Sequence, residues 1–237
     1  MTVPAGATGG ADVRWFPFAT NNELRDDARR RIIEAARAAI EERDRFVIVL
    51  AGGNTPRALY RSLRDADTDW SRWHIYFGDE RCVASDDPDR NSFMAAQAWL
   101  DHVPIPASQC HPIPAEIGAE AAARRYAREL ENVGEFDVVL LGLGEDGHVA
   151  SLVPGKDKSS EELTSDTLAV FDAPKPPPER VSLTAARLSR TRTALFLIEG
   201  ESKHDAVRRW RAGEKIPASK IRTRSGVDVL LGANLLT

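Results

Sequence analysis

The chain has 237 residues, of which 42% are hydrophobic, and its formal net charge is −4. This composition allows one sizeable α/β core, and the slightly acidic balance gives no basic footprint for a nucleic-acid partner. The N-terminal sequence MTVPAGATGGADV lacks the features of a signal peptide, and no apolar run approaches the roughly 20 residues that cross a bilayer. We therefore expect a cytoplasmic chain with no nucleic-acid or membrane partner, and a disordered tail over residues 1 to about 11.

Apolar runs and turn residues alternate along the chain and predict strands that alternate with helices. The runs that predict strands are Val13–Phe18, Phe46–Leu50, Trp73–Phe77, Phe136–Leu141, Thr167–Phe171, Ala194–Ile198 and Val227–Leu231. Thr20 and Glu23 form the capping-box pattern that begins a long helix ending near Arg43. The alternating segment Arg180–Thr184 suits either a short strand or the start of a helix. The pattern predicts one domain over residues 12–237, a doubly wound, mainly parallel sheet with helices on both faces.

The strand Phe46–Leu50 runs into a glycine turn, AGGNTP. Gly52 and Gly53 allow the backbone to turn tightly. Asn54 or Thr55 can cap the helix that follows. Such a helix start presents backbone N–H groups and the positive end of the helix dipole, which suits a phosphate. An ordinary βα turn has the same pattern, so the local sequence leaves both interpretations open.

A charged cluster, Asp79-Glu80-Arg81, follows the strand Trp73–Phe77. Ligand sites in open α/β sheets form at the carboxyl ends of the strands. Arg81 at such an end could clamp an anion through two parallel hydrogen bonds. The alternative is a surface ion-pair cluster without a ligand.

Two segments after Gly155 are predicted to be connections of opposite character. The sequence KDKSSEEL is polar and predicts a mobile segment. The run PKPPP at Pro174–Pro178 predicts a stiff loop, because proline fixes the backbone.

The stretch Phe136–Gly155, FDVVLLGLGEDGHVASLVPG, joins an apolar strand to a glycine-rich turn. Its segment Gly142–Gly147 matches the G-x-G-x-x-G pattern of dinucleotide-binding folds. That fingerprint also needs a helix at the third glycine and an acidic residue at the end of the next strand. Pro154 interrupts any such helix, and the nearby acidic residues lie before a strand rather than at its end. We therefore predict no cofactor, and we interpret the glycines as letting a substrate approach the backbone.

His148 lies in this turn, two residues after Asp146. An imidazole titrates at about pH 6.5 in water, so near neutrality it can take a proton from a water molecule. Asp146 could orient the ring or stabilise its cation. A lone histidine is often structural, but the glycine-rich loop at a strand end favours catalysis. The spacing of histidines and of Cys82 and Cys110 predicts neither a metal site nor a disulfide.

Four motifs together resemble the 6-phosphogluconolactonases of the glucosamine-6-phosphate isomerase/6-phosphogluconolactonase family. They are AGGNTP, FGDERCVASDDPDRNSFMA, LLGLGEDGHVASLVPG, and RVSLT followed by LFLIEGESK. The motifs occur in the family's order and span about Val13 to Leu231, nearly the whole chain. The resemblance implies a Rossmann-like fold shared with sugar-phosphate isomerases. It also implies hydrolysis of 6-phospho-D-glucono-1,5-lactone to 6-phospho-D-gluconate in the pentose phosphate pathway, without a metal.

The resemblance assigns roles to residues of this chain. His148 would be the general base that activates water, and Asp146 would support it. The residues implied in binding the substrate and its phosphate are Gly52, Gly53, Asn54, Thr55, Arg81, Lys203 and Arg180. The implied partner is a small sugar-phosphate lactone, and we expect a monomer or a weak homo-oligomer.

Two other functions are weighed against hydrolysis. Glucosamine-6-phosphate deaminases of the same family place a glutamate five residues after the histidine, where this chain has Val153. A non-catalytic sugar-phosphate-binding domain would lack the base, whereas His148 and Asp146 are both present. One departure, Asn54 in place of the family's usual serine, concerns details of the phosphate loop rather than the reaction.

Overall fold

The structure, a computed structural model, describes residues 12–155 and 165–237. The predicted tail at residues 1 to about 11 and the polar segment KDKSSEEL lie outside the described residues. Among the helices of the described ranges, none combines the length and the apolar character of a membrane span.

The larger sheet has six strands, numbered here in chain order together with those of a smaller sheet. They are β1 (Val13–Phe18), β2 (Phe46–Leu50), β3 (Trp73–Phe77), β5 (Phe136–Leu141), β8 (Thr191–Ile198) and β9 (Val227–Gly232). Their order is β1-β9-β8-β5-β2-β3, and each neighbouring pair is parallel. Strands β2 and β5 are buried along their whole length, as in a sheet covered on both faces. The predicted mainly parallel α/β fold is confirmed.

The chain changes direction across this sheet between β2 and β5. From β2 it steps outward to β3, returns past β2 to β5, and then moves the other way to β8 and β9. Connections that diverge from two adjacent strands leave a crevice at their carboxyl ends, and ligands of α/β sheets bind there. The loops after β2 and β5 therefore border the place where this topology favours a site.

A smaller antiparallel sheet, which the sequence did not predict, adjoins the same end of the large sheet. Its strands are β4 (Asp79–Arg81), β7 (Arg180–Leu183) and β6 (Thr167–Val170), in the order β4-β7-β6. Only Gly78 separates β4 from β3. The pairing of β4 with β7 places Arg81 directly opposite Arg180, so two arginines come together at the carboxyl end of the sheet.

The α-helices connect the strands much as the apolar pattern predicts. They are α1 (Asn21–Arg43), α2 (Asn54–Leu63), α3 (Asn91–Ala98), α4 (Ala119–Leu130), α5 (Ala185–Ser189) and α6 (His204–Arg211). The predicted capping box begins α1, because the Thr20 hydroxyl and the Glu23 carboxylate each accept the other's backbone N–H. Both interpretations of Arg180–Thr184 hold, since β7 ends at Leu183 and Thr184 then caps α5.

The hydrophobic core lies against the larger sheet. Near β3 the rings of Trp70, Trp73 and Trp99 contact one another at centroid distances of 4.8 to 5.7 Å. A buried cation, Arg187, lies 3.6 Å above the Phe136 ring, and burial lowers its pKa to about 10. This stack joins α5 to the start of β5 and so holds the small sheet beside the central strand.

Candidate active site

A cleft of about 450 Å³ opens at the carboxyl ends of β2, β5 and β8. It collects predicted site residues that lie far apart in the sequence: Gly52, Gly53, Asn54, Thr55, Arg81, His148, Arg180 and Lys203. Asp146 lies directly beside His148. The fold therefore brings all the predicted site residues to one place, as the topology of the large sheet requires.

The His148 ring is fixed by Asp146. Nδ1 lies 2.6 Å from Asp146 Oδ1, and the same oxygen accepts the His148 backbone N–H at 3.0 Å. Burial raises the pKa of Asp146, but the hydrogen bonds and the charge of His148 outweigh burial and hold that pKa below its ordinary value. An ionised Asp146 keeps the ring proton on Nδ1. Nε2 is then the nitrogen that can accept a proton from water.

The glycines of the loop make room for this histidine. A Cβ on Gly144 would lie 2.0 Å from His148 Nδ1, so the ring packs against the bare Gly144 backbone. The Gly144 N–H donates to the His148 carbonyl oxygen at 2.8 Å. Gly147 has φ +89°, and a Cβ there would also meet Ile216 at 2.9 Å. Gly144 and Gly147 of the G-x-G-x-x-G pattern thus make room for His148 and its loop, whereas a Cβ on Gly142, which lines the cleft, would meet nothing within 4 Å.

The start of α2 forms another wall of the cleft. Gly53 precedes the helix with φ +107°, and none of the described side chains caps this N-terminus. Backbone N–H groups without a capping side chain suit an anion. The Thr55 hydroxyl donates to Glu199 Oε2 at 2.9 Å, and Glu199 also pairs with Arg25 at 3.2 Å. Because its hydroxyl proton is engaged, Thr55 offers an anion its backbone N–H rather than its side chain.

The smaller sheet contributes a pair of arginines. Burial lowers the pKa of Arg180, Asp79 opposes that shift, and the adjacent Arg81 adds to it. Like charges opposite each other on paired strands destabilise a sheet, and an anion between them relieves the repulsion. Arg81 Nη1 donates to the Asp89 carbonyl oxygen at 2.5 Å, whereas its buried Nε has no hydrogen-bond partner in the described part of the chain.

The acidic residues beside Arg81 are buried, so the interpretation as a surface ion-pair cluster is wrong. Asp79 is 7% exposed and Glu80 is fully buried. Glu80 accepts the backbone N–H groups of Arg81, Asn91 and Ser92. Burial nevertheless raises the pKa of Glu80. This carboxylate ties β4 to the start of α3 and so fixes the strand that places Arg81 and Asp79 along one side of the cleft.

Lys203 is the cation on the β8 side. Burial lowers its pKa, although Glu145, 4.0 Å away, acts in the opposite direction. Four charged residues near the cleft were not among the predicted site residues: Asp79, Glu145, Lys175 and Glu199. Each lies within a segment that the sequence pattern singled out. Their place at strand ends was the available signal, but their partners depend on tertiary contacts.

The described side chains do not form a recognisable metal site. Within 12–155 and 165–237, no group of three or more His, Cys, Asp or Glu side chains is placed to hold a metal ion. The positive charges of the cleft belong to Arg81, Arg180, Lys175 and Lys203.

A histidine–aspartate pair at a cleft lined by arginine and lysine side chains, at the carboxyl edge of a parallel sheet, is typical of an α/β enzyme that acts on an anionic substrate. The model of the glucosamine-6-phosphate isomerases/6-phosphogluconolactonase family matches residues 19–230. The chain belongs to that family.

Relatives from both branches of the family share this chain's sequence or fold. A 6-phosphogluconolactonase from Mycobacterium leprae is 38% identical, and the match covers 80% of this chain and 82% of the relative. The crystal structure of 6-phosphogluconolactonase from Thermotoga maritima matches with a TM-score of 0.84, 26% identity and coverage of 93% and 99%. A monomeric glucosamine-6-phosphate deaminase matches with a TM-score of 0.81, 25% identity and coverage of 95% and 98%. Fold alone therefore does not separate the two activities.

Proposed function

We propose that this protein hydrolyses 6-phospho-D-glucono-1,5-lactone to 6-phospho-D-gluconate in the oxidative pentose phosphate pathway, as a cytoplasmic enzyme. The observation that carries the proposal is the His148–Asp146 contact of 2.6 Å at a cleft lined by arginine and lysine side chains. The similarity to curated 6-phosphogluconolactonases over most of the chain supports the same reaction.

The reaction needs one proton carrier and no covalent intermediate. Nε2 of His148 takes a proton from a water molecule while the water oxygen attacks C1 of the lactone. The tetrahedral oxyanion is stabilised by hydrogen-bond donors or by a cation of the cleft. It collapses with cleavage of the bond from C1 to the ring oxygen, and the protonated ring returns its proton to that oxygen. Asp146 stabilises the imidazolium that exists between the two transfers.

The remote phosphate positions the carbonyl for attack. The start of α2, from Gly52 to Thr55, and the cations Arg81, Arg180 and Lys203 form the anion site. Binding energy from a group far from the reacting atoms can be used to orient them. A δ-lactone is already reactive toward water, so orientation and one general base suffice chemically.

The direct test is an assay of the purified chain on freshly prepared 6-phosphogluconolactone, followed by acid release. We expect hydrolysis well above the spontaneous rate and no ammonia from glucosamine 6-phosphate. Val153 lines the cleft, at the position where the deaminase motif has a glutamate. Ammonia release from the amino sugar would overturn the assignment in favour of the deaminase branch of the family. Binding of the lactone without turnover would favour the non-catalytic alternative.

Replacement of Arg81 by methionine tests the anion site. We expect kcat/KM for the phosphorylated lactone to fall about tenfold to a hundredfold, as for the loss of a charge-assisted hydrogen bond. Activity on unphosphorylated D-glucono-1,5-lactone should change little, because that substrate lacks the anion. The exposed Arg124 on α4 provides a matched control, Arg124→Met, with kcat/KM unchanged. Equal losses on both lactones would contradict a role of Arg81 in phosphate binding.

A further inference from the structure

The proline loop, residues 173–178, is fastened to the small sheet by Arg180. The Ala173 N–H closes the loop on the Pro178 carbonyl oxygen at 3.1 Å. Arg180 donates from Nη2 to the Lys175 carbonyl oxygen at 2.7 Å and from Nε to the Pro177 carbonyl oxygen at 3.1 Å. Two of the three guanidinium nitrogens of a buried arginine thus bind loop backbone. Arg180 holds the loop in place beside the cleft.

The loop carries a lysine that meets the histidine loop. Lys175 lines the cleft, and its Nζ lies 3.4 Å from Glu145 Oε1. The same Glu145 oxygen lies 4.0 Å from Lys203 Nζ. One carboxylate oxygen therefore lies between two ammonium groups, three residues before His148. The attraction of the two lysines lowers the pKa of Glu145, so this carboxylate is ionised near neutrality.

This contact contributes little to holding the protein together. The side chains of Lys175 and Glu145 are 62% and 51% exposed, and exposed ion pairs contribute little to stability. An anion with greater charge can therefore replace Glu145 at a small energetic cost. The ammonium groups have three donors each, which suits an anion with several acceptor oxygens.

The site lies close to the start of α2. Thr55, in the first turn of that helix, donates to Glu199, and Lys203 follows Glu199 by four residues in the connection between β8 and α6. The helix N-terminus, Lys203 and Lys175 all line the same cleft. A phosphate dianion fits this group better than a monoanion does, because helix dipole and two cations act on it together.

We propose that Lys175 binds the phosphate group of the substrate, that Arg180 positions Lys175 through the proline loop, and that Glu145 is the internal carboxylate which the phosphate replaces. The proposal rests on the proposed lactonase function. It predicts opposite effects of removing Lys175 and removing the charge of Glu145, which a purely structural contact would not produce.

The first experiment measures phosphate binding without turnover. Inorganic phosphate is titrated into the full chain and into the variants Lys175→Met, Lys175→Arg and Glu145→Gln, and binding is followed by ³¹P NMR. We expect the Kd to rise about threefold to tenfold in Lys175→Met, to change less in Lys175→Arg, and to fall about twofold to fivefold in Glu145→Gln. Arg124→Met, which removes an exposed cation from α4, is the matched control with an unchanged Kd.

The second experiment uses the two lactones. Lys175→Met should raise KM for 6-phosphogluconolactone by a similar factor, with kcat nearly unchanged and no effect on D-glucono-1,5-lactone. Arg180→Lys should raise the same KM, and the double variant should lose less than the product of the two single effects, because part of the effect of Arg180 passes through Lys175. Additive effects would overturn the positioning role of Arg180.

Three further outcomes would overturn the assignment of Lys175. They are an unchanged phosphate Kd in Lys175→Met, a Kd that moves in the same direction in Glu145→Gln, and weakened binding of D-gluconate with phosphate binding intact. The last would assign Lys175 to the carboxylate at C1. Because phosphate binding needs no catalysis, an absence of lactonase activity would contradict the proposed function without deciding the role of Lys175.

Discussion

Replacing His148 with alanine is expected to lower kcat for 6-phosphogluconolactone by about 10²- to 10⁴-fold, the usual contribution of a positioned general base. The variant loses the only group of the mechanism that takes the proton from water. The remaining rate comes from orientation of the lactone by the anion site. Initial rates of acid release, corrected for spontaneous hydrolysis, measure the loss.

The matched control is His102→Ala, because His102 is exposed and its side chain bonds only the Gln97 carbonyl oxygen among the described contacts. Its kcat should equal that of the unmodified protein. The Kd of His148→Ala for 6-phosphogluconate should stay within about threefold, since the phosphate is held by other residues. An unimpaired kcat in His148→Ala would rule out the proposed base. A large loss of product affinity would instead indicate that the imidazole binds substrate.

The strands of the large sheet could be predicted because each carries its own apolar signal. Phe46–Leu50 and Phe136–Leu141 are buried at every position, so their sequences show continuous apolar residues. In the small sheet, β6 and β7 lie within segments that the sequence predicted as a strand or a possible strand, but β4 escaped prediction for the opposite reason. The strand β4, Asp79–Arg81, consists of three charged residues, and such a segment shows no apolar period. Only pairing with Arg180–Leu183 makes it a strand.

The members of the site could also be predicted, but not their partners. His148 and Arg81 each follow a strand of the parallel sheet, so their convergence follows from topology. The carboxylate of Glu199, after β8, accepts a hydrogen bond from Thr55, after β2. The local sequence does not predict that contact. The position of Lys175 depends likewise on Arg180, which holds the backbone of its loop.

The role of Gly144 shows why a motif can be recognised and misinterpreted. The sequence indicates that the residue must be small, and both a cofactor and a substrate would require that. The structure shows instead that the space is filled by the imidazole of His148. Glycine spacing alone does not indicate that the side chain in this space is His148, four residues later in the same loop.

Replacing Gly144 with alanine is therefore expected to disable catalysis although no catalytic group is replaced. The new Cβ would lie 2.0 Å from Nδ1, 2.2 Å from Cε1 and 2.4 Å from Cγ of His148, so the ring has to leave its place. Gly144 is not among the residues with positive φ, and its backbone accepts alanine without strain. Misplacement of a reacting group by about 1 Å can cost about 10²-fold in rate, and we expect kcat to fall by at least that factor.

Folding should survive this change, because the His148 side chain is 24% exposed and can turn into the cleft. We expect the melting temperature to fall by only a few degrees, about the effect of 1 kcal/mol in a domain of this size. The matched control is Gly134→Ala. Gly134 lies just before the N-terminal end of β5, away from the His148 loop at the C-terminal end, and a Cβ there would meet nothing within 4 Å. Its kcat and melting temperature should stay unchanged.

A double variant separates displacement of the imidazole from any other effect of the methyl group. In the His148→Ala background the ring is gone, so the Gly144→Ala methyl group has space and should lower kcat no further. The two substitutions then act on one group, and their effects are not additive. A further loss in the double variant, or full kcat in Gly144→Ala alone, would contradict the contact between Gly144 and His148 as the basis of the effect. Non-additivity would show that this glycine acts by keeping the imidazole against Asp146, where its Nε2 can accept the proton.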